Sequence, residues 1–196
     1  RLAGNFFSAD LGTARAAFEA VPWVRRATVR RIWPDRLLVQ LEEHRASALW
    51  QAEERDDRLV NQQGEVFAAN IGDVEDEALP TFSGPEGSSA PVLSLYRRLL
   101  PLLRPLDMEI EQLQLSTRGS WRVLLDSGAT LELGRGTEDE VLVRAQRFVR
   151  TLSQLTDRYR APLEHADLRH ADGYAVRLRG VTTNPTTAPA GPKSAP

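Results

Sequence analysis

Apolar and polar residues alternate along most of this chain, and helical spacing interrupts the alternation three times. Ser8 can cap a first helix over about residues 9–20, with Leu11, Ala14, Phe18 and Val21 on one stripe and Pro22 ending it. Residues 23–33 and 36–43 read as two strands around Trp33-Pro34-Asp35-Arg36, where Pro34 fixes φ for a tight reversal and Asp35 suits the next position. Ala27 and Val29 share a face, as do Leu37, Val39 and Leu41, while Gln40 and Glu42 point the other way. A two-stranded sheet with one helix is marginal by itself. The pattern therefore predicts that a preceding strand and helix complete this unit.

Three short strands are expected at Ala46–Gln51, Arg58–Asn61 and 65–68, the last two joined by a turn at Asn61-Gln62-Gln63-Gly64. The acidic stretch 73–77 reads as loop. A strand over 79–82 leads into the turn-rich Ser83-Gly84-Pro85-Glu86-Gly87-Ser88-Ser89 and then a helix over 90–100. Pro91 is tolerated in its first turn, and Pro101 is expected to end or kink it. Strands over 109–117, 121–125 and 130–133, linked by Arg118-Gly119-Ser120 and Asp126-Ser127-Gly128, make an antiparallel meander. Thr137 and Glu140 form a capping box that opens the longest helix, about 138–160. Leu142, Ala145, Val149, Leu152 and Tyr159 form its buried stripe, and Arg144, Arg147 and Arg150 its solvated face.

The last two strands, 163–169 and 174–178, are joined at His170-Ala171-Asp172-Gly173. Residues 181–196 are a run of Thr, Pro, Ala, Gly and Ser, expected to be a disordered tail. The final strand thus has no later element to pair with. Unless an earlier strand flanks it, it ends the sheet with a row of open backbone N–H and C=O groups. Such an edge can template a strand from another chain, and this one is the predicted functional surface.

Composition narrows the chemistry. A chain of 196 residues, 41% of them hydrophobic, supports one large domain or two small ones. Twenty-five Lys and Arg against 27 Asp and Glu leave −2, so no global field draws nucleic acid or anionic membrane. With no cysteine there is no disulfide, thiol nucleophile or zinc-thiolate site. No window approaches about 18 consecutive apolar residues, the length a spanning helix needs. The chain starts Arg1-Leu2-Ala3-Gly4 with no Met and no signal-peptide pattern, as a processed or excised fragment would, and a piece cut from an anchored protein is one case that fits.

Leu133-Gly134-Arg135-Gly136 lies between a strand and a helix, where phosphates can sit. No Gly-Lys-Ser/Thr follows, however, and Glu138, Asp139 and Glu140 occupy the place of the anion, so the phrase reads as a strand-to-helix turn. His44, His165 and His170 have no metal spacing. The pairs Glu42-Glu43, Glu53-Glu54 and Asp56-Asp57 are merely adjacent, which does not aim two carboxylates at one substrate. No catalytic constellation, cofactor site or metal site is expected. Trp23, Trp33, Trp50 and Trp121 are spread over different elements and are assigned mainly to packing. Arg118, in the turn before Trp121, reads either as an ordinary exposed arginine or as part of the binding edge.

Several motifs in order resemble the periplasmic part of the FtsQ/DivIB family of bacterial cell division proteins. Val21-Pro22-Trp23-Val24 and Val29-Arg30-Arg31-Ile32-Trp33-Pro34-Asp35 resemble the second half of its polypeptide-transport-associated (POTRA) domain. The stretch from Leu79-Pro80-Thr81-Phe82 through Ser88 resembles the start of its β-domain. Ser120-Trp121, Leu131-Glu132-Leu133-Gly134-Arg135-Gly136, Arg147-Phe148 and Asp167-Leu168-Arg169 follow in family order.

The resemblance implies an α+β fold: a truncated POTRA-like unit over 1–44, then a mainly antiparallel β-domain with two helices over 45–180. It implies a non-enzymatic scaffold at the septum, with a single membrane anchor in the full-length protein and this region periplasmic. FtsB and FtsL would be recruited, and FtsW and FtsI through them, with no nucleic acid as partner. An FtsB segment would add a strand beside Tyr174, Val176 and Leu178. Arg118 and Arg169 would pair with acidic FtsB residues, and His170, Asp172 and Gly173 would form a turn that affects binding. His170 and Asp172 stand where close relatives have Tyr and Ser. Val29 and Arg31 match POTRA positions implicated in septal recruitment. Two other readings remain at this point: a POTRA-type transport module that binds unfolded polypeptides, and a glycan-binding envelope protein.

Overall fold

Strand β1 (Val24–Ile32) returns through a three-residue turn as β2 (Arg36–Glu43), in the computed structural model that describes residues 10–51, 58–170 and 173–181. The expected Ser8 cap, Asp172, the pairs Glu53-Glu54 and Asp56-Asp57, and the tail 182–196 lie outside the described residues. Helix α1 (Leu11–Glu19) is capped by Asp10, whose carboxylate accepts from the Gly12 N–H at 2.8 Å. It packs on β1 and buries Ala14 there against Ala27. Val21, assigned to the buried stripe, is instead exposed, because the chain has already left the helix at Ala20. The Trp33–Pro34 peptide at the hairpin tip is cis.

The second sheet has nine strands in the order β11-β10-β9-β8-β7-β6-β3-β4-β5. Its members are β3 (Ala46–Gln51), β4 (Arg58–Asn61), β5 (Val66–Ala68), β6 (Thr81–Ser83), β7 (Ile110–Leu115), β8 (Ser120–Leu125), β9 (Thr130–Arg135), β10 (Leu163–Asp167) and β11 (Ala175–Leu178). The meander β7-β8-β9 is antiparallel as the short links require, and three of the other six pairings follow suit. Three pairings are parallel: β3 with β6, β6 with β7, and β9 with β10. The last two are the crossovers of α2 (Ser89–Leu103) and α3 (Glu138–Tyr159), since parallel neighbours need a long connection.

Helix α2 does not stop at Pro101. It runs to Leu103, with the Arg104 N–H bonding the Leu100 carbonyl. Leu95, Leu99 and Leu103 lie one turn apart and are fully buried. Keeping Leu103 in the core contributes about 2 kcal/mol, which offsets the bond that the proline cannot donate. In α3 the capping box forms as read, with the Thr137 N–H donating to Glu140 Oε2 at 2.8 Å and the Glu140 N–H to Thr137 Oγ1 at 3.3 Å. Its buried stripe holds Val141, Leu142, Ala145, Phe148 and Leu152, but Tyr159 is exposed near the end of the helix. Trp121, Val123, Leu125, Leu131, Leu133, Ala166, Leu168 and Leu178 share one core cluster with residues of α2 and α3. The alternate residues of the same strands, Arg122, Glu132 and Asp167, are exposed or half-buried on the sheet's other face.

Candidate partner-binding edge

Strand β11 lies at the end of the nine-stranded sheet, with β10 on one side and no described strand on the other. Its backbone groups can be assigned by counting. The Arg179 N–H donates to the Pro162 carbonyl at 2.9 Å, toward β10. Alternation then turns Arg177 and Ala175 toward β10, opposite His165 and Asp167, and leaves the backbone of Val176 and Leu178 facing outward. The Leu178 carbonyl is taken by the Val181 N–H at 3.2 Å, so the outward set is the Val176 N–H and C=O and the Leu178 N–H. The side chains of Val176 and Leu178 pack against the core. These two residues therefore offer their backbones, not their side chains, at the open edge.

Tyr174 holds the edge in place. Its ring meets Phe148 edge-on at 5.4 Å and 87°, and its hydroxyl is hydrogen-bonded to that of Thr151 on α3. This inward role is more specific than the strand membership that its sequence position suggests. Gly173 is half-buried beside it, with open space where a Cβ would stand.

Arg169 and Arg118 converge on the same end of the sheet. Trp121 and Gly134 are paired partners, and the register shift beyond them makes Gly134 the left-handed residue of a β-bulge, at φ +80°. A Cβ there would stand 3.0 Å from Arg169 Cγ, so the missing side chain is the seat on which Arg169 lies. Asp167 fixes the guanidinium: it accepts from Arg169 Nε at 2.8 Å, from Nη2 at 2.6 Å and from the Arg169 backbone N–H at 3.0 Å. Those bonds hold the Asp167 carboxyl well below the usual carboxylate range. Next along the face, Arg122 donates to Glu132 at 2.6 Å, and Glu132 is the register partner of Asp167.

Arg118 sits in the turn between β7 and β8, where the Gly119 N–H donates to the Ser116 carbonyl at 2.9 Å. It is exposed, and no hydrogen bond or ion pair engages it among the described residues. His170 is also exposed, next to Arg169. Val29 and Arg31 lie far from this edge, on the α1 face of the hairpin, in register with Val39 and Leu37.

Two contributors went unnoticed in the sequence. Leu133-Gly134-Arg135-Gly136 is a bulge within β9 as well as an approach to a helix, and its carbonyls are claimed by Arg144. That residue donates from Nε to the Leu133 carbonyl at 2.9 Å and from Nη2 to the Arg135 carbonyl at 2.6 Å, so it is not simply solvated. Asp167, two residues before Arg169, was legible only as part of a motif. Among the described residues, no group of three or more His, Cys, Asp or Glu is arranged to hold a metal ion. No helix among the described residues is long and apolar enough to cross a membrane.

Comparison with known proteins agrees with this architecture. Residues 48–169 match the family model described as the C-terminal part of the cell division protein FtsQ/DivIB, and residues 1–44 match the FtsQ-type POTRA domain. The chain is 43% identical over 182 residues to the cell division protein FtsQ of Burkholderia pseudomallei, covering 92% of this chain and 71% of the relative. It is 37% identical over 201 residues to FtsQ of Thiomonas arsenitoxydans (98% and 74% covered) and 41% identical over 192 residues to FtsQ of Bordetella pertussis (91% and 69%). A match over most of both partners, on an α+β chain whose POTRA-type unit precedes a mixed sheet, leads to one conclusion: the chain belongs to the FtsQ/DivIB family of cell division proteins.

Proposed function

We propose that this chain is a non-catalytic scaffold of the division machinery that captures FtsB, and FtsL with it, by strand addition along β11. Through those partners it would connect to FtsW and FtsI and so to septal peptidoglycan synthesis. The observation that carries the reading is the outward row of backbone groups at Val176 and Leu178, two residues whose side chains are committed to the core. A partner strand gains its main-chain hydrogen bonds there, and affinity from that source needs no particular side chain.

Selectivity comes from the end of the sheet where Arg169, Arg118 and His170 gather. Acidic residues of FtsB pair with the two guanidiniums in charge-assisted contacts. Arg169 is already oriented for this by Asp167 and the Gly134 seat, which lowers the ordering cost of binding. By the family resemblance, Asp172 and Gly173 also affect FtsB binding. Ordering the partner segment costs several kcal/mol, so affinity falls in the micromolar range or tighter.

In this proposal the chain divides into a POTRA-like unit over 1–44, a β-domain over 45–180 and a tail. Val29 and Arg31 contribute to septal recruitment, and the full-length protein is anchored once in the inner membrane with this region in the periplasm. The test is a titration with the cognate FtsB periplasmic peptide. Reversing both charges, Arg118→Glu with Arg169→Glu, should weaken binding about a hundredfold, from the loss of two charge-assisted contacts. Unchanged affinity removes both arginines from the interface.

A further inference from the structure

The whole-chain charge of −2 conceals a local excess of the opposite sign. Between Val24 and Leu38 the sequence holds five arginines (Arg25, Arg26, Arg30, Arg31 and Arg36) against the single acid Asp35. Arg25 is spent internally, on Glu42 and on Glu65 at 2.7 Å. Arg30 and Arg36 make no hydrogen bond or ion pair among the described residues.

The register places these charges among apolar side chains. Arg30 is opposite Leu38, and Ile32 is opposite Arg36, on the hairpin face turned away from α1. Trp33 stands at the tip, 82% exposed, with Ile32 45% and Leu38 48% exposed beside it. Three large apolar side chains and two uncommitted guanidiniums therefore share one projecting tip. Nothing in the fold needs Trp33: Trp50 and Trp121 fill the core and Trp23 the junction, but Trp33 buries almost none of its ring.

We propose that this hairpin tip docks on an anionic lipid surface. Tryptophan is an amphipathic ring suited to the headgroup level of a bilayer, with Ile32 and Leu38 entering just below it. Long arginine side chains lay their stems along the apolar layer while their heads reach phosphate oxygens. Charge complementarity selects an anionic surface over a neutral one. The contact is shallow and reversible, as expected for three apolar residues without a lipid chain. It lies on the face opposite Val29 and Arg31 and is independent of β11.

The experiment is co-sedimentation of the full 196-residue chain with vesicles of phosphatidylcholine alone or with one quarter phosphatidylglycerol, at low and near-physiological salt. The expected result is uptake by the anionic vesicles, weakened by salt, with little uptake by the neutral ones. Arg30→Gln with Arg36→Gln should lower partitioning about twenty-five-fold, from about fivefold per arginine at the surface. Trp33→Ser should lower it about tenfold, with an unchanged circular dichroism spectrum, since the ring supports no packing. Equal uptake by both vesicle types, no uptake by either, or uptake indifferent to both variants overturns the proposal. So does concentration-dependent self-association that Trp33→Ser abolishes without vesicle binding, which would make the tip a contact between copies.

Discussion

In the nine-stranded sheet, Phe148, Leu152, Leu95 and Leu99 reach down from α2 and α3 onto Leu113, Val123 and Leu131, and all are shielded from water. In the two-stranded sheet, α1 buries Ala14 against Ala27, and no other side chain of that unit is fully buried among the described residues. Both regions place helix on sheet, but only the larger one closes a core. The smaller one is tied to its neighbour instead. Arg25 forks onto Glu65 at 2.7 and 2.9 Å, Trp23 donates to Asp73 at 2.9 Å, and Phe67 is met by Trp23 edge-on and by His44 face-on. A region that buries little depends on polar and aromatic links across a junction, and those links respond to pH.

The contrast is sharpest in stability. Phe148→Ala should lower the unfolding free energy by about 3–5 kcal/mol, measured in urea, whereas an equal loss on truncating an apolar side chain of the hairpin tip would erase the distinction. Next in size is Tyr174→Ala. It removes both the Phe148 contact and the hydroxyl pair with Thr151, and should cost about 2–3 kcal/mol while also weakening FtsB-peptide binding, because β11 loses its anchor. Stability lost with affinity intact would show that the edge binds without that anchor.

The junction should yield to acid before the core does. Arg25 holds Glu65 down to about 2, from an ordinary value of 4.5. A carboxylate lowered by folding stabilises above its unfolded value, and that support is lost as pH falls from about 4.5 toward 2. Burial pushes His44 below its ordinary 6.5, so its protonation also opposes the closed junction, and loosening begins as pH drops through that region. Trp23 emission, isolated by difference with Trp23→Phe, should shift over this range, and Glu65→Gln should flatten the part below pH 4.5. An identical acid limb in that variant would remove Glu65 from the junction. The smallest effect is expected at Trp33→Ala, within about 0.5 kcal/mol of the parent in urea unfolding, as befits an exposed side chain away from any packing.

Local chemistry explains why much of this was legible. Gly119 and Gly128 at tight links fixed the meander, and Thr137 with Glu140 fixed the start of α3. The final strand stood out because no further strand or helix pattern follows it, although Val181, the first residue of the expected tail, packs against the core. The parallel pairings were not legible, since β9 meets β10 only after a 22-residue helix and no local pattern encodes that neighbour. Pro101 misled because propensity is local, while the burial of Leu103 is tertiary. The same holds for Arg144: its role depends on carbonyls freed by a bulge that Gly134 makes, eleven or fewer residues away in sequence but on another element. The convergence of Arg118 and Arg169 came from resemblance, and their common end of the sheet emerges only once β8, β9 and β10 are aligned.

Amide hydrogen exchange, read residue by residue by NMR in the presence and absence of the FtsB peptide, tests the strand-addition account most directly. The Val176 and Leu178 amides should exchange readily in the isolated chain and slow at least about tenfold on saturation, with Arg177 little changed because its amide already faces β10. If the peptide binds while those two amides keep their original rates, and protection arises at β5 or the hairpin instead, the partner does not extend the sheet at β11.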